Sequence, residues 1–89
     1  MLELSDRTGS SIRLSAERWS HISRKHPDVA IEDIRDALLL LSGVRLDSFD
    51  RDTKRFSKFR KETKRNKVVV VKYLKDDAFI VTAYIERRP

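Results

Sequence analysis

Apolar positions are densest near the C-terminus, in two runs separated by a short polar break. Val68-Val69-Val70-Val71-Lys72-Tyr73-Leu74 is followed by Lys75-Asp76-Asp77-Ala78 and then by Phe79-Ile80-Val81-Thr82-Ala83-Tyr84-Ile85. β-Branched and aromatic residues fill both runs and a turn-forming Asp-Asp pair lies between them. This predicts an antiparallel hairpin over Asn66–Arg87. Four consecutive valines imply burial on both faces, so the hairpin belongs at the centre of a sheet.

Upstream, Leu2 and Leu4 alternate with polar residues, Arg7-Thr8-Gly9-Ser10 reads as a turn, and Ile12 and Leu14 alternate again, giving a weak strand or hairpin over residues 1–15. Ser15 is placed to cap a helix that starts at Ala16 and stops at Pro27, with Trp19, Ile22 and His26 on one stripe. A second helix is expected from Val29 to about Leu41, capped by Asp28. Ile31, Ile34, Ala37, Leu38 and Leu41 form its stripe, Leu39 and Leu40 widen it, and Ser42-Gly43 ends it. Val44–Asp50 and Lys54–Thr63 then read as strands, with Asp50–Thr53 and Lys64–Asn66 as turns. Phe56 and Phe59 have opposite parity, which requires apolar contacts on both faces or a bulge. The expected architecture is one α+β domain spanning 1–89: an N-terminal strand region and two helices, the helices packed on one face of an antiparallel sheet of about four strands.

Three polar side chains interrupt the apolar hairpin: Lys72, Thr82 and Tyr84. Thr82 and Tyr84 share a face because they are two apart. A two-residue turn at Asp76-Asp77 would pair Lys72 with Val81 and turn it away from them. A three-residue loop over Lys75–Asp77 would pair it with Ile80 and bring all three together. Burial favours the longer loop, which keeps Lys72 out of the helix-facing side and fills that side with Val69, Val71, Tyr73, Phe79, Val81, Ala83 and Ile85.

The charge changes the picture in one place. The 89 residues carry a net charge of +6, and 38% of them are charged. Between Arg51 and Lys67 nine basic residues stand against two acidic ones, net plus seven, which leaves minus one for the remainder. Such a segment fits a nucleic-acid footprint, with Lys54, Arg55, Lys58, Arg60, Lys61 and also Arg87 as phosphate contacts. It equally fits strands kept soluble by lysine. There is no cysteine, hence no disulfide or thiolate site, in keeping with a reducing, cytoplasmic setting. No apolar leader is visible at the N-terminus and no run is long enough to span a bilayer, so no membrane association is expected.

His21 and His26 are the only histidines, and their spacing of five does not put both on one helix face as a metal pair requires. His26 reads either as a hydrogen-bonded helix-terminal residue or as an acid–base group; His21 reads as a surface residue or as the acid–base group. No glycine-rich phosphate loop, Ser-His-Asp order or HExxH is present. The available groups, His, Lys, Arg, Tyr and Thr, suit RNA cleavage by attack of a 2′-OH on the adjacent phosphate, which requires no metal or cofactor.

The stretches Arg18-Trp19-Ser20-His21-Ile22, Lys25-His26-Pro27-Asp28, Asp33-Ile34, Ala37-Leu38, Val69-Val70-Val71-Lys72 and Phe79-Ile80-Val81-Thr82-Ala83-Tyr84 resemble the motifs of small phage- and bacterial-type domains in the barnase–EndoU–colicin–RelE-like nuclease group. The resemblance implies a helix–helix–antiparallel-sheet fold and a metal-independent, toxin-like endoribonuclease. It implies RNA as substrate, an antitoxin or immunity protein as a further partner, and His21, His26, Lys72, Thr82 and Tyr84 as the catalytic set. The alternative is a non-catalytic module that binds RNA or a protein through a basic sheet face.

Overall fold

The structure, a computed structural model, describes residues 2–39, 43–46, 51–60 and 62–87, with backbone alone at 43–46 and at Arg60. In chain order the elements are β1 (Leu2–Ser5), β2 (Ser11–Leu14), α1 (Ala16–Lys25), α2 (Ile31–Leu39), β3 (Gly43–Leu46), β4 (Thr53–Arg60), β5 (Arg65–Leu74) and β6 (Asp77–Arg87). They form an α+β fold with two helices and a single six-stranded sheet in the order β1-β2-β6-β5-β4-β3. Neighbouring strands run antiparallel except β2 and β6, which meet in parallel where Arg13 faces Phe79. The sheet is therefore larger than the four antiparallel strands expected, and mixed. The N-terminal hairpin is part of it, because β6 would otherwise offer unpaired backbone groups on the side away from β5. Arg13 fixes the junction by donating from Nε to Asp77 Oδ1 at 2.8 Å. That hydrogen bond holds the Asp77 carboxyl below its ordinary value.

α1 forms as the sequence implies. Ser15 Oγ accepts from the Arg18 N–H at 3.0 Å, Ile22 is buried, and Trp19 packs against the core. The helix ends where the His26 N–H donates to the Ile22 carbonyl at 2.7 Å, just before Pro27. α2 begins two residues later than expected, and Asp28 is not its cap. Asp33 reaches back instead, its Oδ2 accepting from the Ala30 N–H at 2.8 Å, which is one half of a capping box. Ile34, Ala37 and Leu38 are fully buried, whereas Leu39, expected to extend the stripe, is 40% exposed. Gly43, expected with Ser42 to end the helix, opens β3. The expected contributions of Leu40, Leu41 and Ser42, of residues 47–50 and of Lys61 lie outside the described residues.

β4 is shorter than the expected Lys54–Thr63 and pairs with β5 in unbroken register from Thr53–Lys72 to Arg60–Arg65. Phe56 and Phe59 therefore occupy opposite faces without a bulge. Phe56 lies in the core and Phe59 faces Asn66 on the other side.

The bulge is in β6. Leu74 pairs with Asp77, Lys72 with Phe79 and Val71 with Ile80, but Val70 pairs with Thr82, leaving Val81 as the extra residue. The turn is two residues, Lys75-Asp76, so neither expected register occurs. The bulge lets Ile80 and Ala83, three apart and each 1% exposed, both face the core. The helix-facing side of β6 thus carries Ala78, Ile80, Ala83 and Ile85, and the expected Phe79 and Val81 are replaced by Ala78 and Ile80. Lys72 still shares a face with Thr82 and Tyr84, because Val70 and Val68, two and four residues before it, lie opposite them.

Lys67 carries a charge under the helices. Its Nζ lies 2.8 Å from Asp33 Oδ1 and 3.2 Å from Asp36 Oδ2 on α2. Burial pulls this ammonium down, but the two hydrogen bonds outweigh it and its pKa is raised. The pair fastens α2 to β5, so Lys67→Ala is expected to lower stability by about 2 kcal/mol, read by urea denaturation. A loss within error of zero would show that α2 is held by its apolar stripe alone. No helix among the described residues is long and apolar enough to cross a membrane.

Candidate functional site

Strict alternation along three strands fixes what the second sheet face presents. Thr53, Arg55, Ser57 and Phe59 come from β4, Asn66, Val68, Val70 and Lys72 from β5, and Thr82, Tyr84 and Glu86 from β6. This face is not uniformly wet. Val68 is 1% exposed and Asn66 7%, so the longer side chains around them make a partly covered polar surface.

Four of those side chains meet. Arg55 forms an ion pair with Glu86, and its guanidinium carbon lies 5.6 Å from the centre of the Tyr84 ring. Asn66 Nδ2 lies 3.5 Å from Glu86 Oε2. Asn66 Oδ1 is buried and accepts no hydrogen bond among the described residues. Its position beside Glu86 puts an amide oxygen within this group. Burial pushes the Tyr84 phenol up from its ordinary value, the Arg55 charge opposing. The phenol therefore stays protonated near neutral pH and can donate.

His26 joins this group from the end of α1. Its ring centroid is 5.9 Å from that of Tyr84, with the planes 40° apart. Of the five residues expected to act together, the structure thus brings His26 to Tyr84, with Thr82 two residues away on the same face. It does not gather the other two. His21 is exposed on α1 beside Arg18 and Arg24. Lys72 lies four residues along β5 from Val68, the partner of Tyr84, which is about 13 Å at the usual strand rise.

The basic segment does not form one basic sheet face. Alternation sends Arg55 to the face of Tyr84, whereas Lys54 and Lys58 point with Phe56 to the helix side. The Lys54 ammonium sits 4.9 Å over the Tyr73 ring, and Lys58 faces Lys67 across the strands. At the end of the sheet, the backbone register lines up Arg60, Arg65 and Arg87 on three adjacent strands. The next rung holds Phe59, Asn66 and Glu86, so this rim of arginine positions adjoins the Arg55–Glu86–Tyr84 group along the strands, while alternation gives Arg65 and Arg87 the opposite, helix-side parity.

Sequence reasoning missed Asn66 and Glu86, and gave Arg55 no role beyond phosphate contact. Parity alone identifies Glu86, since Thr82, Tyr84 and Glu86 are successive alternate residues on one strand. Asn66 carries no such signal, because its burial comes from its neighbours on the other strands. Among the described residues no three His, Asp or Glu side chains gather as ligands for a metal. No protein-family model, curated protein or solved structure matches this chain.

Proposed function

We propose that this protein is a metal-independent endoribonuclease whose working group is His26, Arg55, Tyr84 and Glu86. The observation that carries the reading is the meeting of an imidazole, a guanidinium, a phenol and a carboxylate on one partly covered sheet face. Each has a role in the reaction. The Glu86 carboxylate takes the proton of the 2′-OH as that oxygen attacks the adjacent phosphorus. Arg55 and the Tyr84 hydroxyl stabilise charge on the non-bridging oxygens. The His26 imidazole gives a proton to the departing 5′-oxygen. The products are a 2′,3′-cyclic phosphate and a 5′-hydroxyl, so bonds and protons balance without another reactant. Lys72 and Thr82 line the path of the strand on the same face. The resemblance to the barnase–EndoU–colicin–RelE-like group supports the same chemistry, and an antitoxin or immunity protein that covers this face would then be the protein partner.

Incubation of the purified protein with mixed RNAs in EDTA tests the reading. Shortened RNA is expected, and RNA left intact across several sequences and pH values would count against catalysis. The dispersal of His21 and Lys72 favours one rival, a face that binds RNA without cutting it.

Both readings share a salt prediction. Arg65 and Arg87 are exposed and face each other across β5 and β6, an arrangement of like charges that costs stability unless an anion lies between them. RNA affinity should fall steeply with salt. The double replacement Arg65→Ala, Arg87→Ala should flatten the log–log slope by about 0.7 for each single-strand phosphate that is no longer neutralised. An unchanged slope would mean the rim is solvated and carries no phosphate.

A further inference from the structure

α1 carries two parallel lines of side chains. Trp19, Ile22 and His26, at i, i+3 and i+7, turn inward: Ile22 is buried, Trp19 packs against the core and His26 reaches Tyr84. Arg18, His21 and Lys25 repeat that spacing one residue earlier, so they form a second line about 100° round the helix. All three are exposed. Glu17, in the first turn, is the one acidic residue of the helix, and its place there suits the helix dipole.

Elsewhere the cations are matched to carboxylates: Arg13 to Asp77, Arg55 to Glu86, and Lys67 to Asp33 and Asp36. Among the described residues the side chains of Arg18, His21 and Lys25 have no such partner. The sheet fixes which way their line faces. Arg18 borders a hollow with Arg13, Ser15, Phe79 and Ile80. Phe79 stands opposite Lys72 and so belongs to the face of Thr82 and Tyr84. A second, polar hollow of about 380 Å³ lies further round α1, lined by Arg18, His21 and Arg24 with Ser15 and Glu17. The line therefore starts beside the face of the cleavage group and ends at Lys25, the residue before His26. Its length is about 10 Å at the helical rise, the axial length of roughly three stacked nucleotides.

We infer that this line binds the backbone of single-stranded RNA on the 3′ side of the scissile bond, an assignment that rests on the proposed cleavage chemistry. Arg18 and Lys25 hold phosphates, and His21 donates a hydrogen bond between them. The side follows from His26. The 5′-oxygen that His26 protonates belongs to the nucleotide 3′ of the cut, and Lys25 is its neighbour in the chain. One line of cations follows one strand, so the substrate is single-stranded.

The test compares the parent, the double variant Arg18→Ala, Lys25→Ala and the control Arg7→Ala, which removes an exposed arginine from the β1–β2 turn, on end-labelled single-stranded RNA in EDTA. Fluorescence anisotropy reads binding, gels read cleavage and circular dichroism reads folding. Binding should weaken by about tenfold for each α1 residue replaced, as the loss of one charge-assisted contact to phosphate requires. Arg7→Ala should bind as the parent does, and Arg18→Lys should retain binding. Trimming the substrate back to the cut on its 3′ side should weaken the parent and cancel most of the effect of the double replacement; trimming on the 5′ side should leave that effect intact. A folded double variant that binds and cuts as the parent does, an equal loss with Arg7→Ala, or dependence on the 5′ side instead would overturn the assignment while the proposed function stands. Displacement of the RNA by polyglutamate at equal charge would overturn it in favour of an acidic protein partner. A parent protein that leaves RNA uncut would overturn it together with the cleavage reading.

Discussion

His26→Ala is expected to lower the rate of RNA cleavage by about 10²–10⁴-fold, the usual worth of a positioned acid or base, while RNA affinity stays within a few-fold of the parent. The separation follows from how His26 is held. Its backbone N–H closes α1 on the Ile22 carbonyl, and this bond survives substitution, so the imidazole can be removed without removing the helix end. Arg55→Ala should behave differently. It takes a cation from the phosphate and leaves the Glu86 carboxylate without its partner, so cleavage and binding should both fall. Tyr84→Phe keeps the ring between His26 and Arg55 and removes only the hydroxyl; the expected loss is in rate alone. Equal cleavage by parent and His26→Ala, measured on an end-labelled RNA under single-turnover conditions, would remove His26 from the mechanism.

The largest effect on stability is expected at Asp6. Removing the carboxylate in Asp6→Ala strands the Thr8 and Ser10 amides of the β1–β2 turn and the Tyr73 hydroxyl at once, and should cost about 3 kcal/mol. In a chain of this size that is a fall in Tm of roughly 15 °C. Tyr73→Phe, which removes one of those bonds, should cost about 1 kcal/mol. The same group sets an acid limit. Burial raises the Asp6 carboxyl, but the hydrogen bonds from Thr8, Tyr73 and Ser10 reverse this and its pKa lies below the ordinary value. A depressed carboxyl contributes stability that is present above its unfolded value of 3.8 and is lost as pH falls through the folded value. Denaturation curves at successive pH values should therefore lose stability below about pH 4, and Asp6→Ala should show a smaller acid loss. Tyr73 acts at the other end. Burial, then the Asp6 hydrogen bond and charge, raise its phenol well above 10.0. Its contribution is full below that value and fades as the medium becomes strongly alkaline. Equal acid loss in parent and Asp6→Ala would show that the turn is not held by this carboxylate.

What was legible in the chain was what is local. Ser15 before an amphipathic stretch identifies α1, a periodic stripe around Ile34, Ala37 and Leu38 identifies α2, and the two apolar runs identify β5 and β6. The rest depends on contacts between residues far apart. Parallel pairing of β2 with β6 rests on Arg13 meeting Asp77 and Phe79, more than sixty residues later. The bulge at Val81 follows from the need to bury both Ile80 and Ala83, and nothing in Ile-Val-Thr-Ala marks which residue is extra. The turn reads from Arg7-Thr8-Gly9-Ser10, but the Asp6 carboxylate that holds it was not singled out, and its bond to Tyr73 appears only when the hairpin folds back on β5. The site was half legible for the same reason. Tyr84 and His26 stood out as polar residues in apolar surroundings. Their neighbours Arg55, Asn66 and Glu86 are ordinary surface residues in sequence and become a group only through cross-strand register.

If the His26–Arg55–Tyr84–Glu86 group cuts RNA by transfer to the neighbouring 2′-oxygen, the chemistry is written in the fragment ends. Mass spectrometry of the ends formed in EDTA reads it without intermediary. Expected are 2′,3′-cyclic phosphate and 5′-hydroxyl ends that disappear with Glu86→Gln. Fragments with 3′-hydroxyl and 5′-phosphate ends, or cyclic ends formed equally well by Glu86→Gln, would contradict the proposed mechanism.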